Sequence, residues 1–342
     1  MVAAGRWRAT APEVRRIRGY HTWAVVSPFK SLEDLVVKFD ASRGETEKLK
    51  TFVNLTLGES WEVESIKVES ASLQQRRKRY AAEVPAGVKV LTCGVDTQDD
   101  RLESLVIGWG DGEESWVISR ESHYGDPQKE AVWKELDGTL NRDWPVEGGG
   151  TMRVQCALVD ALGHRTEYVY REVIPRQVRR VYVSIGKDGG DAGQVVSEPK
   201  MLETSFGNVR RHIVDASQVK ALIYSRLNAE GADGLPLADG PGVIHFPQTV
   251  GDVFFDELTS EHQVIERTRH GIEKLAWAMR PGRRRNESLD CFGMALAALR
   301  VVCPTPTKFD ELAARVALAR GTIKAAEIVQ APHVPRTKNW TR

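Results

Sequence analysis

Long apolar runs, paired cysteines and net charge are all scarce in this sequence, and each shortage removes a class of protein. No stretch approaches the roughly 20 consecutive apolar residues that a membrane-crossing helix needs. The opening MVAAGRWRATAPEVRRIRGY has no apolar signal-peptide core. A cytoplasmic setting without a membrane partner is therefore expected. Four cysteines, Cys93, Cys156, Cys291 and Cys303, are too few and too scattered for a disulfide framework, and none stands at the CxxC spacing that builds most structural zinc sites. They are expected to be reduced and buried. A formal net charge of +1 excludes a globally basic nucleic-acid binder.

What is present is a 342-residue chain with 41% apolar and 28% charged residues, enough for one large domain or two smaller ones with cores of their own. Its basic charge is local. Clusters stand at Arg15, Arg16 and Arg18, at RRKR 76–79, at Arg176, Arg179 and Arg180, at Arg210 and Arg211, and at Arg280 with Arg283–Arg285. Such runs are usually solvated faces, so their meaning depends on their neighbours.

Residues 1–60 show aromatic and turn residues without a clear period, and 61–86 is a charged connector ending near Pro85. A domain spanning 87–303 follows. Strand patterns at 88–96, 102–109 and 115–119, separated by TQDD and GDGEE, predict a three-stranded meander. Asp126 and Pro127 open a helix with Val132, Leu136 and Leu140 on one face. Further strands are expected at 153–160, 179–185, 243–246, 263–267 and 273–279, and helices at 164–174, 215–227, 252–262 and 286–301. A meander followed by alternating helices and strands argues an α/β fold, a mixed β-sheet flanked by helices on both faces. The tail, 304–342, reads as a short helix and a basic end.

Two of these strands, VLTCGVD and RVQCALVD, climb through apolar residues and finish on an acid, Asp96 and Asp160. Strand ends open onto the crevice of such sheets, which is where a carboxylate is tolerated. A third acid, Asp290, stands in the first turn of the helix beginning NESLDC. Three converging carboxylates suit hard divalent ions, and a pair of such ions supports in-line phosphoryl displacement. Glu287, three residues earlier, is a further candidate ligand.

The residues carrying these features resemble the lambda-like GpA family of tailed-phage DNA-packaging terminase large subunits. The resemblance runs from about residue 5 to 302, through GRW, GYHTWAVVSPF, FVNLTLGESWE, RYAAEVPAGVKVLTCGVDTQDDRLE, GDPQKEAVWKELD, VDALGHRTEYVY, HFPQTVGDVFFDELTSE and NESLDC in that order. It implies an RNase H-like nuclease domain whose Asp96, Asp160 and Asp290 hold two Mg²⁺ or Mn²⁺ ions and cut concatemeric double-stranded viral DNA in the host cell cytoplasm. In the second motif the family more often has a small or hydroxyl residue and then Gly after the acid, whereas Ala161 and Leu162 precede Gly163 here.

Family members also begin with an ATPase motor. No GxxxxGK[ST] phosphate cradle occurs in this sequence, and IGKDGG at 185–190 lacks both the earlier glycine and the following hydroxyl. The chain is thus expected to be the nuclease part, with 1–60 resembling the end of the motor and its linker, the motor supplied elsewhere, and no ATP hydrolysis of its own. Implied partners are the terminase small subunit and the portal protein, with the basic tail as a portal-docking segment.

Lys187, after a strand, and Arg283, Arg284 and Arg285, just before the third acid, are candidate DNA-backbone contacts, as is His164 beside the second acid. Asp99 and Asp100 read as turn residues, and Glu103 as an exposed alternate position. The alternative readings are another RNase H-like nuclease of resolvase or transposase type, or a non-catalytic DNA-binding or docking remnant of a prophage.

Overall fold

Residues 22–43, 46–59, 68–163, 166–187, 194–230, 235–267 and 273–321 are described by a computed structural model. Residues 1–21, His164 and the tail beyond 321 lie outside them. The chain divides between residues 64 and 65 into two units.

In the first unit, α1 (Leu32–Ser42) begins on a capping box. The Asp34 N–H donates to Ser31 Oγ and the Ser31 N–H to the Asp34 carboxylate, each at 3.0 Å. Next comes α2 (Thr46–Phe52), whose terminal ring packs 5.4 Å from that of Phe39. One π turn, Val53–Leu57, then closes on Gly58 in the left-handed region.

The second unit opens with α3 (Ser70–Gln74) and β1 (Arg77–Lys78), then runs through the meander β2 (Val90–Thr97), β3 (Arg101–Trp109) and β4 (Ser115–Tyr124). After α4 (Glu130–Leu140) come the small hairpin β5 (Trp144–Pro145) and β6 (Thr151–Met152), then β7 (Val154–Asp160), α5 (Thr166–Val173) and β8 (Val181–Lys187). The hairpin β9 (Lys200–Thr204) and β10 (Gly207–Asp215) leads into α6 (Ala216–Leu227), β11 (Ile244–Pro247) and α7 (Asp252–Leu258). A two-stranded ribbon, β12 (Glu261–Arg267) and β13 (Glu273–Met279), precedes α8 (Glu287–Val302) and α9 (Pro306–Ala319).

Nine strands form one sheet in the order β1-β11-β4-β3-β2-β7-β8-β10-β9. The meander pairs antiparallel, while β2, β7, β8 and β10 run parallel. This is a mixed sheet covered by helices, as the sequence pattern predicts. Parallel central strands need cover on both faces, which is why β2 is buried along nearly all its length. The alternation of its side chains assigns the covers. Thr92 donates to the Ala295 carbonyl of α8 at 2.7 Å, so Thr92, Gly94 and Asp96 face that helix. On the opposite pleat, Thr139 of α4 reaches Glu121, whose register partner Ser104 pairs with Val95.

Gly94 makes the α8 contact possible. A Cβ there would stand 1.9 Å from the Cys291 carbonyl oxygen and 2.8 Å from the Ala295 nitrogen. The missing side chain lets the helix lie directly on the strand two residues before Asp96.

Several boundaries differ from the sequence expectation. The strand expected at 115–119 continues to Tyr124 because its polar half is satisfied from inside. Arg120 meets Glu257 at 2.9 Å, Ser122 donates to Glu103 at 2.6 Å, and His123 lies 2.9 Å from Ser104 Oγ. The helix expected at 252–262 stops at Leu258, where the Thr259 and Ser260 hydroxyls bond back to the Phe255 and Glu257 carbonyls, and Glu261 already begins β12. The hairpin of β9 and β10 was not anticipated; β9 is a largely exposed edge strand, without the period-two apolar signal that burial imposes.

Candidate active site

Asp96 and Asp160 end adjacent parallel strands. Val95 stands in register with Val159, and Thr97 Oγ1 donates to the Asp160 carbonyl at 2.9 Å, fixing the two strand ends side by side. Asp290 comes from the first turn of α8, the helix seated on Gly94. Asp160 and Asp290 line one cleft of ≈310 Å³, together with Ser184, Lys187, Lys220 and Met294.

The three acids lie within each other's fields. Asp96 is 7% exposed, and burial, with the negative charges of Asp290 and Asp160 behind it, pushes its carboxyl up from 3.8 to about 7. Burial raises Asp160 to about 6, with Asp290 adding to the effect while the Leu162 N–H opposes it. Asp290 is also raised, first by burial, against the opposing charge of Lys220. Among the described residues, few groups offset this concentration of negative charge. Gln98 donates to Asp96 Oδ2 at 2.5 Å, and Asn286 Nδ2 donates to Asp290 Oδ2 and to Glu261 Oε1, each at 2.8 Å. Lys220 Nζ lies 2.6 Å from Glu261 Oε1 and 3.4 Å from Asp290 Oδ1. A cluster of under-compensated carboxylate oxygens at a cleft wall is the donor set that hard divalent cations take.

Lys187, at the exposed end of β8, lines the same cleft. Glu287 is close enough to Asp96 to raise its pKa, but its own oxygen Oε1 receives Arg101 and Arg285, each at 3.0 Å. Arg285 also reaches Glu103 at 3.4 Å and Glu257 at 3.2 Å, and Arg283 pairs with Asp256 at 2.8 Å. Arg284 is exposed on the same approach to α8.

Glu103 departs from its expected exposed position. It is 2% exposed, held by Arg101 at 2.6 Å and by Ser122, so it anchors the base of the site and does not face solvent.

Lys220, Gln98, Asn286 and Glu261 were not singled out from the sequence. For Lys220 a signal existed. It lies between Ala216 and Tyr224 at four-residue steps in a helix that otherwise buries Val219, Ala221, Leu222, Ile223, Tyr224 and Leu227, so its charge needed a partner. Glu261 was hidden by the overlong helix assignment.

A family model for the terminase large subunit gpA endonuclease domain matches residues 17–308. The chain is 35% identical over 297 residues to the terminase large subunit of Escherichia phage lambda, and 31% identical over 291 residues to that of Enterobacteria phage P21. Each alignment covers 82% of this chain and 43% of the relative, so the chain spans less than half the length of the relatives it matches. Among solved structures, a mutant nuclease domain of the large terminase subunit gp2 of bacterial virus Sf6, with manganese, is similar at 14% identity and a TM-score of 0.33, covering 68% of this chain and 99% of that one.

Proposed function

The chain belongs to the endonuclease-domain family of the gpA terminase large subunit, and from that premise we propose that it is a divalent-metal-dependent endonuclease cutting concatemeric double-stranded viral DNA during packaging. The observation that supports this reading is that Asp160 and Asp290 line one cleft and Asp96, on the strand beside Asp160, lies within the field of both, with burial and repulsion raising all three carboxyls.

In this reading the three aspartates hold two Mg²⁺ or Mn²⁺ ions. Such ions lower the pKa of a bound water and stabilise charge on the attacking and leaving oxygens. The chain's own residues set the site. Asp96 and Asp160 are placed by strand register, and Asp290 by the seating of α8 on Gly94. Lys220 and Asn286 orient the Asp290 carboxylate and couple it to Glu261. Arg101 and Arg285 hold Glu287 and Glu103, tying the start of α8 to β3. Lys187 and Arg284, and Arg283 and Arg285 at the cost of their acidic partners, meet the DNA backbone without reading sequence.

The ATPase motor supplied elsewhere, the small subunit, the portal protein and a host cell cytoplasmic setting belong to the same proposal, as what the family resemblance implies. Nicking of supercoiled plasmid in Mn²⁺ is the test. Single Asp96→Asn, Asp160→Asn and Asp290→Asn changes should each reduce it by at least about 100-fold if one ligand is worth as much as one transition-state donor. Wild-type nicking by any of the three would refute the triad.

A further inference from the structure

A second cluster of metal-type ligands lies at the other end of the sheet. Among the described residues, Glu114, Asp239 and His245 bring one ligand atom each to within 4.8 Å of one another. Glu114 immediately precedes β4, and His245 lies on β11 in register with Trp116. In the meander, Ser115 pairs with Trp109 and Trp109 with Val90, at the start of β2, whereas Asp96 lies at its end. Six residues of strand, on the order of 20 Å, and two strand positions separate this corner from the aspartate cleft.

The corner is built around a fixed imidazole. His245 is 5% exposed and stacks on Trp116 with 4.8 Å between ring centroids and 14° between planes. Its Nε2 lies 2.7 Å from Glu114 Oε1, the oxygen that also accepts from the Gly240 N–H at 3.0 Å. Asp239 is brought in by the Gly- and Pro-rich loop between α6 and β11 and faces solvent. Lys78 Nζ, the nearby cation, lies 3.6 Å from Asp239 and 3.2 Å from the Ala238 carbonyl, and is itself half exposed. An aromatic wall that fixes the ring and a backbone N–H that fixes the carboxylate are the supports that ligand sets ordinarily have.

We propose that Glu114, Asp239 and His245 bind one borderline divalent cation, of the zinc class, as a clamp between the β3–β4 turn and the loop leading into β11. One imidazole with two carboxylates is a mixed N/O set that such cations accept, whereas Mg²⁺ prefers oxygen alone. Ligand atoms in a tetrahedral zinc site stand about 3.4 Å apart, so a small rotation of the exposed Asp239 side chain closes the set. Binding displaces Lys78 from Asp239.

The test uses the whole chain, with Zn²⁺ and Co²⁺ alone as probes. Calorimetry on Asp290→Asn, in which the aspartate cleft is impaired, should show one zinc bound, a site the wild type retains beside whatever its cleft takes. His245→Gln and Glu114→Gln should each weaken it by at least about 10-fold, and Asp239→Asn, at an exposed position, supplies a variant whose folding is not in question. Co²⁺ should give visible ligand-field bands that His245→Gln removes, while Mn²⁺-dependent nicking by His245→Gln stays at the wild-type level. The proposal is overturned if Asp290→Asn binds no zinc, or if its zinc binding survives all three corner substitutions made in that background. Loss of nicking in the aspartate variants bears on the cleft alone, so the two readings fail separately.

Discussion

Replacing Asp96 by asparagine should stabilise the metal-free protein while abolishing its cutting. The folded state holds this carboxyl at about 7 against an ordinary 3.8 because it is buried and faces Asp290 and Asp160. A folded pKa raised above the unfolded one means that the native state binds the proton more tightly. The associated stability is complete below about pH 4 and is lost as pH rises to about 7. At about 1.4 kcal/mol per pH unit, keeping Asp96 ionised at about pH 8 costs the fold on the order of 4 kcal/mol, part of it shared with the other two acids. Asparagine keeps the shape and carries no charge, and its amide oxygen can still accept from Gln98. A gain of about 2–4 kcal/mol at about pH 8 follows, or roughly 3–7 °C in unfolding temperature for a unit of this size. At about pH 5 most of that gain should disappear. Scanning calorimetry in chelator at both pH values measures the difference, and nicking assays follow the lost activity. If the variant is less stable than wild type by the same amount at both pH values, the carboxylates are not electrostatically frustrated and the account of the cleft is wrong.

Further consequences concern packing, pairing and DNA affinity. Gly94→Ala places a Cβ against the Cys291 carbonyl; lifting α8 should cost about 1–3 kcal/mol, visible in urea unfolding, and depress nicking because Asp290 moves with the helix. Lys220→Met removes the cation between Glu261 and Asp290. A loss of about 3–5 kcal/mol is expected near neutral pH, shrinking in acid as the stranded carboxylates protonate, and an undiminished loss in acid would count against this pairing. Lys187→Ala and Arg284→Ala should weaken binding to duplexes of any sequence and reduce the slope of log affinity against log salt by about one each. A sequence-dependent loss in titrations of unrelated duplexes would show a different role.

Legible in the sequence were the order of the main elements and three candidate acids. Apolar strands that finish on a carboxylate, VLTCGVD and RVQCALVD, can do so only where the strand leaves the core, and the period of ESLDCFGMALAAL put Asp290 at a helix start. Less legible were segments whose polar residues are answered across the fold. The second half of β4 looks like solvent-exposed chain until Glu103, Glu257 and Ser104 supply its partners. Lys220 gains its place beside Asp290 only when α6 packs on α8. Glu287 and Arg285 read from the sequence as a candidate metal ligand and a candidate DNA contact, and the structure adds that they pair with each other. What tertiary structure decided was partnership. A buried charge is tolerated or not according to the groups that fall within a few ångströms of it, and those groups come from distant parts of the chain. The corner of Glu114, Asp239 and His245 shows the same dependence, since residues more than a hundred positions apart acquire a common ligand geometry through strand register and loop closure.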